Sequence, residues 1–214
     1  MQKNFHTLTA EQADRAAASY FANIPRYIEM LTAKVRACPG FESWQPDYSE
    51  ASLQTITESL YPLIEVSYKD PATNQRVVWN PIKSDLSIPV LLNPTRGTDP
   101  HVALSQLTPQ TEDWLLWVGF YFGECLRHRD PTLRWERYPN NPKDMEQNHP
   151  VLVMRKHKRY WNCYNPFCHA QGMSMRHLDG TDTNLRMELV TALRNLIDLS
   201  VRTRPDRSAE TPGG

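Results

Sequence analysis

The chain lacks a long apolar run. Its longest near-apolar window, Trp114 to Phe122, is far shorter than the roughly 20 residues a membrane helix needs, so no membrane association is expected. The opening residues, MQKNFHTLTAEQ, contain no basic stretch leading into an apolar run, which argues against a signal peptide. Cysteine is scarce. Four in 214 residues do not make a disulfide scaffold, and a reduced, cytoplasmic protein is the simplest expectation. Net charge is also missing: 24 Lys plus Arg balance 24 Asp plus Glu. Bulk charge therefore supplies no long-range pull toward nucleic acid or anionic lipid, although a local patch can still exist. There is no Walker loop, G-x-G-x-x-G, H-E-x-x-H or G-x-S-x-G. These absences weigh against an enzyme without eliminating one, and no cofactor is expected.

Aromatic residues and proline are plentiful. Six Trp, nine Tyr and six Phe supply core material, and 17 prolines punctuate the chain. The length suits one domain, placed at residues 1–204, with a polar tail over 205–214. Thr9 and Gln12 resemble a capping box for a first helix, with apolar residues from Ala13 through Leu31 recurring at three and four. Pro25 should kink that helix or divide it. Asp47 or Ser49 starts a second helix with Leu53, Ile56, Leu60 and Ile64 on one side, and Pro62 should stop it near Tyr61. Residues 64–79 could form a short hairpin turning at Pro71 to Asn74, and 80–111 read as an irregular excursion. Pro109 then suits the first turn of a central helix.

Beyond that helix the hydrophobic period changes. LRWERYP, HPVLVMRK and RYWNCYNPF read as strands, and a last helix should begin at Asp182 or Thr183 with a stripe of Leu185, Leu189, Leu193, Leu196 and Ile197. The predicted fold is α+β, several helices packed around a small antiparallel sheet.

The central segment, EDWLLWVGFYFGECLRHR, carries the most specific expectations. Trp114, Trp117, Tyr121, Cys125 and His128 lie near one face, and Gly119 and Gly123 lie on another. Missing side chains at the glycines should let another helix or the sheet approach closely. Glu124 should occupy a different polar niche near the helix end. It is either a structural carboxylate, capping a loop or pairing with an Arg, or a functional group: a general base, with His128 or a basic residue as its companion, or a partner contact.

Two further clusters have competing readings. Cys163, Cys168, His169 and His177 bring sulfur and imidazole together, but C-x4-C is not the tight spacing of a zinc knuckle, and adjacent Cys168 and His169 do not define a nucleophilic pair. No metal is expected there, and Asn165-Pro166 reads as a turn or strand exit. Arg155, Lys156, His157, Lys158 and Arg159 precede Tyr160, Trp161 and Tyr164. Such a run can be a solvated turn, face an acidic protein partner, or bind a nucleic-acid strand through phosphate contacts and stacking. The neutral total charge disfavours nucleic acid.

VGFYFGECLRHRDPTLRW and YNPFCHAQGMSMRHLDGTDTNL also carry a resemblance. A Gly-Glu helix end at Phe122, Gly123 and Glu124, a following Trp strand at Trp135, and Asn165-Pro166-Phe167 resemble a pattern of small bacterial proteins, many uncharacterised and often encoded with polymorphic toxins as immunity proteins. Asp179-Gly180 and Leu185 correspond to that pattern's turn and helix start, with Asp in place of its usual Asn. The resemblance spans roughly residues 112–190. It implies an Asn-Pro-Phe strand and a protein that neutralises a cognate toxin by direct binding. The expected partner contacts are Glu124, Arg155, Lys156, Lys158, Arg159, Tyr160 and Trp161. An enzyme using Glu124 as general base and a nucleic-acid binder using residues 155–164 are the alternatives.

Overall fold

Apolar spacing, caps and prolines divide the chain into elements that a computed structural model arranges around one central helix. It describes residues 5–69, 73–80, 106–139, 141–144, 146–156, 161–178 and 185–202. Within them lie helices α1 (Ala10–Ala22), α2 (Ile24–Arg36), α3 (Glu50–Leu60), α4 (Pro109–Arg129), α5 (Pro166–Leu178) and α6 (Leu185–Arg202). The strands are β1 (Val66–Lys69), β2 (Arg76–Trp79), β3 (Gln106–Leu107), β4 (Arg134–Arg137), β5 (Pro150–Lys156) and β6 (Trp161–Tyr164). The fold is α+β, with helices packed around small antiparallel sheet structure, as the change of hydrophobic period predicts.

The local signals act where they stand. Thr9 and Gln12 form a reciprocal capping box, each side chain accepting from the other's backbone N–H. Pro25 does divide the first helical stretch: α1 ends at Ala22, and α2 restarts with Pro25 in its first turn, where a missing N–H costs nothing. Ser49 caps α3, and Pro62 converts its end into the 3-10 turn Tyr61–Leu63. Thr108 caps α4 and is tied by its N–H to the Glu65 carbonyl at 3.0 Å. Thr111 of α4 in turn accepts from the Glu65 N–H, also at 3.0 Å. Two reciprocal bonds thus join the start of the central helix to Glu65, the residue that leads into β1.

There are two sheets of three strands among the described residues, in the orders β2-β1-β3 and β4-β5-β6. The expected hairpin is β1–β2, with Val66 opposite Trp79. The pair β3 at Gln106–Leu107 lies within the stretch expected to be irregular and adds to β1; residues 81–105 lie outside the described residues. In the second sheet, Trp135 faces Leu152 in register and Val153 faces Cys163.

One strand expectation needs correction. RYWNCYNPF does not run on as strand through Asn-Pro-Phe. It stops at Tyr164, and Pro166 opens α5. The Asn165 side-chain oxygen accepts from the N–H groups of Phe167 at 3.1 Å and Cys168 at 3.2 Å, which makes it a helix cap. Gly172, Ser174 and the lack of a clean apolar stripe hide this helix from a periodicity reading. The expected start of the last helix at Asp182 or Thr183, and the tail 205–214, lie outside the described residues.

The core is continuous from α2 to α6. Leu31 and Val35, Leu53, Ile56 and Leu60, Leu115, Val118 and Leu126, Leu152, Met173, and Leu189 with Leu193 belong to one buried cluster. The α4 helix is buried on most of its circumference, from Trp114 and Leu115 to Cys125 and Leu126. It therefore serves as the axis against which the other elements pack. Asp130, at its end, is buried and accepts from Thr132 and from the Ser200 hydroxyl of α6, the latter at 2.9 Å.

Candidate functional site

The two glycines of α4 make the approach that the sequence analysis expects. A Cβ built on Gly119 would sit 2.5 Å from Cδ1 of Phe167, at the start of α5. One built on Gly123 would sit 2.5 Å from Cη2 of Trp135 on β4 and 3.3 Å from Cδ1 of Leu152 on β5. Gly119 thus admits a helix and Gly123 admits the sheet. Phe120 between them meets Phe167 edge-on, with ring centroids 4.6 Å apart, and Trp135 at 5.3 Å.

Glu124 completes this packing. Its Oε1 accepts from Trp135 Nε1 at 2.7 Å, and Arg127 Nη1 donates to Oε1 at 2.8 Å and to Oε2 at 3.0 Å. Its side chain is only 14% exposed, whereas that of Arg127 is 41% exposed. The indole that fills the notch above Gly123 is the same indole that Glu124 holds. The niche is therefore coupled to the glycine contact instead of separate from it. Chemically, the carboxylate fixes an aromatic plate and anchors a guanidinium at the surface. His128, the companion weighed for proton transfer, stacks on Tyr48 with centroids 3.8 Å apart and planes at 13°.

On the opposite aromatic face, Tyr121 organises a polar knot that sequence reasoning missed. Its buried hydroxyl accepts from the Tyr48 N–H at 2.9 Å and shares a 2.6 Å hydrogen bond with Ser52 Oγ. Tyr48 has φ 60°, a left-handed conformation that costs a bulky residue energy, and its ring also stacks on Tyr121. Burial pushes the Tyr121 phenol far above its usual range, with the neighbouring Cys125 adding to the effect. Burial also pushes the Cys125 thiol up. Both groups stay neutral at ordinary pH, so the knot is a clamp on the loop between α2 and α3. The partners that would expose it, Tyr48 and Ser52, lie 73 and 69 residues from Tyr121 in sequence.

The basic and aromatic segment falls at the ends of β5 and β6. Arg155 pairs with Asn162 and Lys156 with Trp161 across the strands, after an irregularity between Val153 and Arg155. Lys158, Arg159 and Tyr160 lie outside the described residues, and for Arg155, Lys156 and Trp161 the described structure is their strand backbone. Nothing among the described contacts brings Glu124 to this end of the sheet. The expected contact residues that are described are thus split between a packed helix niche, which holds Glu124, and a pair of strand ends, which carry Arg155, Lys156 and Trp161.

Cys163 and Cys168 are free thiols, half-buried on β6 and exposed on α5 respectively. Burial, then the charges of Glu146 and Asp144, push the Cys163 thiol up to about 11. That is the opposite of the depressed value a nucleophilic thiolate needs. No group of three or more metal-ligating side chains occurs among the described residues. His169, next to Cys168, points its Nε2 toward Glu188 of α6 instead, at 4.0 Å. A shallow groove of about 420 Å³ runs along α2, lined by Ile28, Thr32, Arg36 and Pro46 among others, and includes none of the expected site residues. No helix among the described residues is long and apolar enough to cross a membrane. Comparison of the chain with protein-family models, with curated proteins and with solved structures found no match.

Proposed function

We propose that this protein is an immunity-like binding protein that neutralises a cognate bacterial toxin by direct contact. The observation that carries the reading is the antiparallel pairing of Lys156 with Trp161 and of Arg155 with Asn162. It gathers basic and aromatic residue types at one end of a three-stranded sheet, a composition suited to an acidic protein surface, with Trp and Arg as the residue types that most often anchor interfaces. The engagement of Glu124 by Trp135 and Arg127 weighs against the general-base alternative, and equally removes Glu124 from the proposed contact set, because that carboxylate is spent on holding the domain together.

Co-expression with the polypeptide encoded beside it tests the proposal. The expected result is a stoichiometric complex on size-exclusion chromatography and rescue of growth. Charge reversal at Lys156, Lys158 and Arg159 together with Trp161→Ala should weaken both. No complex and no rescue with the unaltered chain would overturn the function. Rescue untouched by the substitutions would move the binding face elsewhere. A gel shift at low salt that weakens steeply with added salt would favour nucleic acid instead.

A further inference from the structure

We propose that the exposed face of α2 is a self-association surface, on which a second copy of this chain docks antiparallel across a two-fold axis. Helical spacing sets the face. Arg26, Glu29, Met30, Ala33 and Ala37 recur at three and four and are exposed, while Ile24, Leu31 and Val35 on the opposite side are buried. Met30 leaves a large apolar side chain at the surface, 37% exposed. The groove of about 420 Å³ runs along one flank of this face, between α2 and Gln45 with Pro46.

The groove does not ask for a small polar ligand. The Thr32 hydroxyl already donates to the Ile28 carbonyl at 2.7 Å, and Arg36 Nε donates to the Trp44 carbonyl at 2.8 Å. Ile28, Ala33 and Pro46 make the rest of its lining largely apolar. Charge sits at its two ends. Glu29 and Arg36 are seven residues apart, about 10 Å along the helix axis, too far to pair with each other. Neither the Glu29 carboxylate nor the Arg36 guanidinium has an ion-pair partner among the described residues.

That placement of charge identifies the occupant. Thr32 and Ala33 lie midway between Glu29 and Arg36. An antiparallel copy crossing at this midpoint sets each Glu29 against the partner's Arg36, so the same pair forms twice, as a two-fold interface requires. A parallel copy would set like charges together, which repels. The small side chains at the crossing let the two helix axes approach to the usual packing distance, and Met30 adds apolar contact beside it. Arg26, nearer the start of α2, falls toward the loop of the other copy that carries the exposed Glu42. An unrelated protein would have to reproduce this order of charges, whereas a second copy carries it by construction. None of these residues belongs to the strand ends assigned to the toxin, so the surface stands apart from that reading.

Sedimentation of the full chain over a concentration series at low salt tests the surface. The expected result is a monomer–dimer equilibrium that weakens as salt is added. Glu29→Lys should weaken the dimer about tenfold or more, because two like-charge contacts replace two attractive ones. Arg36→Glu should do the same, and mixing the two variants should restore association as a heterodimer, since both contacts then join opposite charges. Ala33→Glu should abolish the dimer by filling the crossing. If Arg36→Glu fails to fold, because Arg36 also holds the Trp44 carbonyl, Glu29→Lys and Ala33→Glu decide. A native chain that stays monomeric at every concentration overturns the proposal, as does a dimer that Glu29→Lys and Ala33→Glu leave unchanged. A monomeric chain whose complex with the polypeptide encoded beside it is lost in both variants would assign this face to that protein instead of a second copy.

Discussion

Gly123 is the residue on which the centre of the molecule turns. Helix propensity alone says that alanine there should stabilise, by about 1 kcal/mol. The geometry reverses the sign. The added methyl meets the six-membered ring of Trp135, and that ring cannot shift freely because Glu124 holds its indole N–H. Gly123→Ala should therefore lower stability by about 1–3 kcal/mol, the usual range for overpacking, and Gly123→Leu by more. Urea unfolding of the two variants beside the parent measures this, and an alanine variant as stable as the parent would refute the tight contact. Trp135→Phe probes the other half of the bracket. It keeps much of the apolar plate and removes the donor to Glu124, so a loss of about 1–2 kcal/mol is expected, moderated by the retained Arg127 contact. Combining Trp135→Phe with Gly123→Ala should cost less than the sum, because the smaller ring makes room for the methyl.

Among the elements, α5 depends most on a single side chain. Asn165 follows β6, caps α5 through two backbone N–H groups, and donates from its amide to Glu146 in the loop between β4 and β5. Asn165→Ala should cost about 1–2 kcal/mol and should selectively speed hydrogen exchange in the first turn of α5. Uniform loss of protection across the molecule would show that the cap has no local role. The same residue explains why this helix is hard to see in advance. Asn-Pro is equally good chemistry for a turn, a strand exit or a helix start, and only the donors that arrive at the Asn oxygen decide between them. The capping box at Thr9 was legible because both its partners lie within three residues. So was the break at Pro25, which acts through its own ring. The short β3 was not, since a two-residue strand has no period and exists through its pairing with β1.

For the whole molecule, burial of tyrosine sets an alkaline limit. Burial raises Tyr20, Tyr27, Tyr48 and Tyr121 above the ordinary value. Tyr138 is pushed up to about 12, by burial and by its hydrogen bond to Asp144. A phenol whose folded value lies above its unfolded value of about 10 stabilises fully below that pH, and the contribution is lost as pH rises from about 10 through the folded value. Urea midpoints should therefore fall between pH 10 and 12, and the fall should be shallower in Tyr121→Phe, although that variant is less stable at pH 7 because the Tyr48 N–H and Ser52 lose their partner. An equally steep fall in Tyr121→Phe would mean that this phenol does not control the limit.

The amino-acid order by itself determined the elements whose causes are local: caps at Thr9 and Ser49, Pro109 in the first turn of α4, breaks at Pro25 and Pro62, the amphipathic stripes, and an α+β class following from the change of hydrophobic period. It also marked Gly119, Gly123 and Glu124 as unusual within an aromatic helix. Only the tertiary structure decided what they meet. Trp135 reaches both Gly123 and Glu124 from a different strand, and Phe167 reaches Gly119 from a helix whose beginning looked like a strand. The Tyr121 knot and the pairing of His169 with Glu188 were likewise invisible, since each joins positions whose proximity depends on how several elements pack. The physical reason is range: caps and periodicity act over three or four residues, whereas close packing and buried hydrogen bonds select partners by position in space.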